Sequence, residues 1–250
     1  MATLPSDATP PEVQPDGGYA EYFAGGYTKV RGWLASRGAA GLKAVLTFQE
    51  RRGVTGTIAE IGTFHGKTFV GLGLAVRPQE TLVGVDLFVH LGTDFEPILR
   101  RNCATFGVDP DRFRLHRGPS TDLGIPEWRE LLGPPARLVH VDGSHQYAPA
   151  LHDLKLAASH LAPGGAILVD DILSVVCPDV TTAAIDFLRE HSDFRAVALF
   201  DRDGRIGRGG AKLLMAAAQD EDAYVKALAF AFRPARAVRR PFATSRPLVF

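Results

Sequence analysis

Between residues 57 and 170 short apolar runs alternate with longer amphipathic ones, and that alternation leaves few folds open. The apolar runs are Thr57–Ile61, Thr81–Asp86, Phe113–Arg117, Leu138–Asp142 and Ala166–Asp170. Each has the length of a strand, and helical candidates separate them at Lys67–Val76, Glu96–Phe106, Pro126–Leu132 and Ala148–Leu161. A strand followed by a helix, repeated, predicts a parallel sheet covered on both faces, an α/β doubly wound, Rossmann-like architecture. Two more strand-like runs, Ala196–Asp201 and Ala211–Ala216, are separated by Arg202–Gly210, where no helix fits. They are expected as an antiparallel hairpin at one edge, completing a mostly parallel seven-stranded sheet. Ala223–Phe232 reads as a closing helix.

The 250 residues suit one such domain, over 57–232, with flanking segments. Residues 1–18 are Pro-rich and polar and are expected to be disordered. Residues 19–56 place Tyr22, Phe23, Val30, Trp33, Leu34, Leu42, Val45 and Leu46 at helical spacing, which predicts an N-terminal helical cap. Such a cap either packs the sheet edge or serves as a substrate lid. The tail 233–250 carries five Arg, three Pro and no acid, and reads as a solvated basic arm, with anion binding or subunit swapping as the alternative.

Charge narrows the partners. Lys plus Arg and Asp plus Glu both number 28, so no global field favours nucleic acid, and none is expected as a partner. No apolar run approaches the ~20 residues that span a bilayer. The two cysteines, Cys103 and Cys177, lie in no metal or redox spacing, and the first residues lack the features of a secretory signal, so the cytoplasm is the expected location. A homo-oligomer is left open.

The first strand runs into Glu60-Ile61-Gly62-Thr63-Phe64-His65-Gly66. Glycines there let the chain turn sharply from strand to helix and leave room for a ligand at the main chain. The dinucleotide fingerprint is absent, because Phe64 stands where G-x-G-x-x-G needs its second glycine. The second strand ends in Asp86, at the tip where a carboxylate can accept the hydroxyls of a ribose; its alternative role is a helix cap.

The E-x-G-x-x-x-G loop after a first strand resembles the cofactor loop of class I S-adenosylmethionine-dependent methyltransferases. The resemblance extends through Val83-Gly84-Val85-Asp86, Arg117-Gly118-Pro119-Ser120 and Leu161-Ala162-Pro163-Gly164-Gly165, the last marking the turn into a fifth strand. It implies S-adenosyl-L-methionine as cofactor, with Glu60, Gly62, Thr63 and Gly66 beside its methionine part. It further implies Asp86 at the ribose, Gly118 and Ser120 beside the adenine, and Leu87 and Asp142 among the cofactor-binding residues. His65 is a second loop candidate, and His90, Asp94 and Phe95 are candidates for the ribose and sulfur side.

Two acidic clusters close the fourth and fifth strands: Asp142 in Asp142-Gly143-Ser144-His145, and the pair Asp170-Asp171. Carboxylates gathered at adjacent strand tips, about 5 Å apart, repel each other unless a cation joins them. An oxygen-only set favours Mg²⁺ or another hard divalent ion. The pattern is similar to that of the metal-dependent catechol O-methyltransferase-like enzymes, with Asp171 in place of their Asn. The D-G-S-H-x-Y stretch, with Asp142, His145 and Tyr147, resembles a bacterial branch that methylates sugar or natural-product hydroxyls. The resemblance implies metal ligation by Asp142, Asp170 and Asp171, with Asp142 and His145 catalytic. His145, near its ordinary pKa of ~6.5, is a candidate base for the hydroxyl of a small-molecule substrate. The alternatives are a metal-independent N- or O-methyltransferase, a non-catalytic S-adenosylmethionine-binding module and, least favoured, an NAD oxidoreductase.

Overall fold

The computed structural model describes residues 18–202, 210–233 and 237–250. The expected disordered segment therefore lies outside the described residues apart from Gly18, as does most of the hairpin connection. The chain begins with α1 (Tyr19–Ala24), a short 3-10 turn and α2 (Ser36–Arg51). There follow β1 (Thr57–Ile61), α3 (Lys67–Leu74), β2 (Leu82–Asp86), the small hairpin β3 (Val89–His90) and β4 (Thr93–Asp94), and α4 (Glu96–Thr105). Next come β5 (Phe113–Arg117), α5 (Ile125–Leu132), β6 (Ala136–Val141), α6 (Tyr147–Ala158), β7 (Leu161–Ile172) and α7 (Pro178–Glu190). The chain finishes with β8 (Phe194–Phe200), β9 (Ala211–Ala217), α8 (Glu221–Ala231), β10 (Val238–Arg239) and β11 (Leu248–Val249).

The main sheet runs β10-β11-β8-β9-β7-β6-β1-β2-β5 among the described residues. Strands β7, β6, β1, β2 and β5 are parallel neighbours, as the alternation predicts. Strand β9 enters antiparallel between β7 and β8, so the hairpin joins the sheet through its second strand.

Because successive side chains alternate across a strand, the sheet divides its burial between two faces. Ile58, Leu138, Leu168 and Leu214 pack with α2, α3 and α8 through Leu42, Leu46, Phe69 and Tyr224. Ala59, Val139, Val169 and Leu213 pack on the other side with α5, α6 and α7 through Trp128, Leu154 and Phe187. No helix of the described residues is long and apolar enough to cross a membrane.

Two expectations change, and one helix was not foreseen. Helix α7 occupies residues to which the sequence reading assigned no element; its buried set Val180, Ala183, Ala184, Phe187 and Leu188 has helical spacing, but two alanines mark an apolar face only weakly. The L-x-P-G-G segment does not end the preceding helix: α6 stops at Ala158, and Leu161–Gly165 is already extended as the start of β7, with a register shift against β6. The basic tail is not a solvated arm. Its residues 248–249 pair in parallel with β8, and Phe250 is buried, stacked on Phe200 and Phe232.

Candidate active site

The carboxyl tips of β1, β2, β5, β6 and β7 gather nearly all of the residues that the sequence singles out. Gly62 makes the gathering possible. Its φ is +86°, and a Cβ there would lie 1.8 Å from the carbonyl oxygen of Asp142, so only glycine lets the tips of β1 and β6 meet. Gly66, at φ +85°, opens α3 in the left-handed region.

Asp86 is the tie that shapes the glycine loop. Its Oδ2 accepts hydrogen bonds from the amides of Thr63 (2.7 Å) and Phe64 (2.8 Å) and from the Thr63 hydroxyl (3.2 Å). Its Oδ1 accepts from the Phe88 amide at 2.9 Å. The loop is thus held by a carboxylate, which supports Phe64 at φ +46°, a conformation costly for a side chain with a Cβ. Phe64 stacks on His65 with centroids 4.0 Å apart and touches Trp33 and Phe95. Burial, reinforced by Arg31 and Arg101, holds the His65 imidazole below its usual pKa. Leu87 is exposed next to Asp86; Gly118 donates its amide to the Asp86 carbonyl; Ser120 begins a short 3-10 turn beyond β5. Asp94 pairs with Arg117 at 3.0 Å, and the His90 side chain lies outside the described residues.

Beneath this rim runs a row of ionisable side chains. Glu60 pairs in register with His140, and alternation puts Glu60, His140, Asp170 and Lys212 on the face that packs against α2. Glu60 Oε1 lies 2.8 Å from His140 Nδ1, His140 Nε2 lies 2.9 Å from Lys212 Nζ, and Lys212 contacts Asp170 Oδ2 directly. An ammonium has only donors, so His140 must accept on Nε2 and donate its Nδ1 hydrogen to Glu60. Burial and the Lys212 charge keep that imidazole neutral, well below its ordinary pKa. Burial pushes Glu60 well up, with Lys212 opposing and Asp86 and Asp170 adding to it; its Oε2 is buried without a partner among the described residues. Burial, then Asp170, also raises Asp142.

His140 and Lys212 were not anticipated. The available signal was an ionisable residue inside an otherwise apolar strand, in Leu138-Val139-His140-Val141 and Ala211-Lys212-Leu213-Leu214. Glu60 shares that pattern in Thr57–Ile61.

The three acids predicted as one ligand set are divided. Donor atoms of His140, Asp142 and Asp170 lie within 4.8 Å of one another, whereas Asp171 groups with His145 and Cys177. Asp171, in the left-handed region at φ +56°, turns its Oδ2 to His145 Nε2 at 2.9 Å. Burial alone would raise Asp171, but His145 outweighs it and holds the carboxyl below its usual range. The same hydrogen bond raises His145 above its ordinary value, against the pull of burial. A divalent metal does not fit the first group as it stands, because the Lys212 ammonium already sits on Asp170 and His140. S-adenosylmethionine does fit: the buried, unpartnered Glu60 Oε2 can receive an ammonium, and Asp86 Oδ1 retains capacity for a hydroxyl.

The strand order defines a doubly wound α/β protein, an architecture in which ligands bind outside the carboxyl ends of the strands. The family model described as a methyltransferase domain matches residues 59–172. The chain is 29% identical over 115 residues to an uncharacterised protein of Acanthamoeba polyphaga mimivirus, a match that spans 46% of this chain and about half (51%) of the viral protein. Among solved structures, an O-methyltransferase from Bacillus cereus in complex with S-adenosylhomocysteine superposes with a TM-score of 0.58, at 13% identity over 82% of this chain and 93% of that one. TomG of Streptomyces achromogenes, an O-methyltransferase of tomaymycin synthesis in complex with S-adenosylmethionine, gives 0.57 at 18% identity, over 82% of this chain and 92% of that one. Residues 59–172 thus resemble a methyltransferase domain, and the fold is the one that these solved structures share.

Proposed function

We propose that this chain transfers a methyl group from S-adenosylmethionine to a hydroxyl oxygen of a small molecule, with His145 as the base. The observation that carries the reading is the His145–Asp171 pair, 2.9 Å apart, at the tips of adjoining strands beside Asp142. The O-methyltransferase names of the structural neighbours agree with it, as does the balance of charge over the whole chain.

The cofactor would be held by Glu60 and the Gly62–Gly66 loop at its amino-acid end, by Asp86 and Leu87 at the ribose, and by Gly118, Ser120 and Asp142 towards the base. When bound, its sulfonium supplies an activated methyl group. Asp171 accepts the Nε2 hydrogen of His145, which leaves Nδ1 as the acceptor for the substrate proton. His145 Nδ1 would take up that proton as the substrate oxygen received the methyl group, with the sulfonium sulfur as leaving group. The row beneath holds fixed charges in place while this occurs, so little reorganisation accompanies the step. Both cysteines are unbridged, which suits a reducing compartment such as the cytoplasm.

The test is methyl transfer from labelled S-adenosylmethionine to a panel of phenols, sugars and other hydroxylated metabolites. His145→Ala should lower kcat by ~10²–10⁴ while S-adenosylhomocysteine binds with unchanged affinity. Undiminished turnover by that variant would remove His145 from the chemistry.

A further inference from the structure

We propose that Lys212 is the resident cation of this site: its ammonium holds the place among His140, Asp142 and Asp170 that a divalent metal would take, and the chain works without one. The inference rests on the methyl-transfer reading only in its last clause, since the occupancy of the site is a property of the protein itself.

Three observations carry it. Lys212 is 2% exposed, and its ammonium contacts Asp170 Oδ2 directly and His140 Nε2 at 2.9 Å. His140 and Asp170 belong to the one donor group, completed by Asp142, that could otherwise collect a metal at this spot. A dication entering there would face a fixed positive charge in a desolvated setting, where repulsion is poorly screened.

The fold also builds room for the lysine. Gly38 of α2 lies over its stem, and a Cβ at Gly38 would come within 3.1 Å of Lys212 Cε. An alanine in that helix would press on the lysine side chain. The lysine thus has a dedicated slot across the helix–sheet interface, as expected for a structural cation.

Position gives the cation a task. Lys212 and Asp170 line a narrow cleft whose other wall is Trp33, Leu34 and Ala35, ahead of α2. His140 and Asp170 take two of the three ammonium donors, and Asp142 lies close enough to feel the charge. Asp142 and Asp170 therefore have a counter-charge without a metal, and an oxygen entering the cleft meets a cation fixed to the protein. Lys212 acts here as a positioning residue, through the carboxylates it holds.

Mn²⁺ binding to the purified full chain, followed by electron paramagnetic resonance, tests the proposal without any substrate. The wild type is expected to bind no stoichiometric Mn²⁺. Lys212→Met keeps the length of the stem and removes the charge, and should bind one Mn²⁺ per chain at least ~100-fold more tightly than the wild type. Asp170→Asn added to that variant should abolish the gain, because a hard cation tolerates the loss of few ligands. The proposal is overturned if the wild type binds one Mn²⁺ per chain in a manner that Asp170→Asn removes, or if folded Lys212→Met binds none. Should Lys212→Met fail to fold, the wild-type titration decides alone. Calorimetry with S-adenosylhomocysteine on the same samples separates the two readings: absent cofactor binding sinks the methyl-transfer proposal and leaves the Mn²⁺ result standing.

Discussion

Replacing Asp86 by Asn tests how the cofactor crevice is built. The carboxylate offers about four acceptor sites. Oδ2 is filled by the Thr63 and Phe64 amides and the Thr63 hydroxyl, and Oδ1 takes, among the described residues, only the Phe88 amide. A ribose hydroxyl therefore has one place to bind, on Oδ1. In Asp86→Asn the amide oxygen can keep the three bonds that shape the loop, but its NH₂ must then face the Phe88 amide, donor against donor. The variant loses the acceptor for the ribose and one charge-assisted bond to the main chain. A hydrogen bond to a charged group is worth ~1.5–3 kcal/mol, so affinity for S-adenosylhomocysteine should fall by about one to two decades. Calorimetric titration gives that figure, and a urea midpoint on the same sample shows whether the loop itself has come apart. If Asp86→Asn binds the product as the wild type does, the hydroxyl is not on this carboxylate and Asp86 serves the loop alone.

Two further outcomes follow from the geometry. The Asp171 hydrogen bond raises the His145 pKa, so the base form is lost as pH falls through a value above the ordinary one, and kcat/KM should climb through that raised pKa. In Asp171→Asn the climb should move to lower pH, because the charge that favoured the imidazolium is gone; a rate–pH profile on the preferred substrate reads the shift, and an unmoved profile refutes the pairing. At the opposite edge of the sheet, Arg137 is buried with Glu80 as its only carboxylate partner among the described residues, at 2.9 Å, so Glu80→Ala should cost about 3–5 kcal/mol in a urea melt by stranding the guanidinium.

The parts of the fold that were legible in the sequence are those where period and chemistry agree. Thr57–Ile61 and Phe113–Arg117 carry the strand limits read from the alternation, and the carboxyl-tip acids follow from the parallel order. Helix α7 was obscured because Ala183 and Ala184 fill two of the five places in its buried stripe. The row under the site was harder still. A lysine in Ala211–Ala217 reads as one side of an edge hairpin facing water, and only the insertion of β9 between β7 and β8 turns it inward onto Asp170. Asp171 groups apart from the other two acids for a local reason: with its backbone in the left-handed region, its carboxylate contacts His145. One residue of backbone conformation redistributes a charge cluster, and no spacing rule reports it.

The tail strands bear on what the sheet margins offer to a second copy of this molecule. A long unpaired outer strand is a template on which another chain can add itself. On one side of the sheet the outermost strand, β10, is two residues long, with the equally short β11 between it and β8. On the other side the border is β5, five residues long, with Arg114 exposed and Arg117 paired with Asp94 and Glu96. Among the described residues, then, one margin of the sheet is a pair of two-residue strands and the other holds a carboxylate-bound arginine, and neither presents a long, flat, apolar edge on which a second copy could extend the sheet.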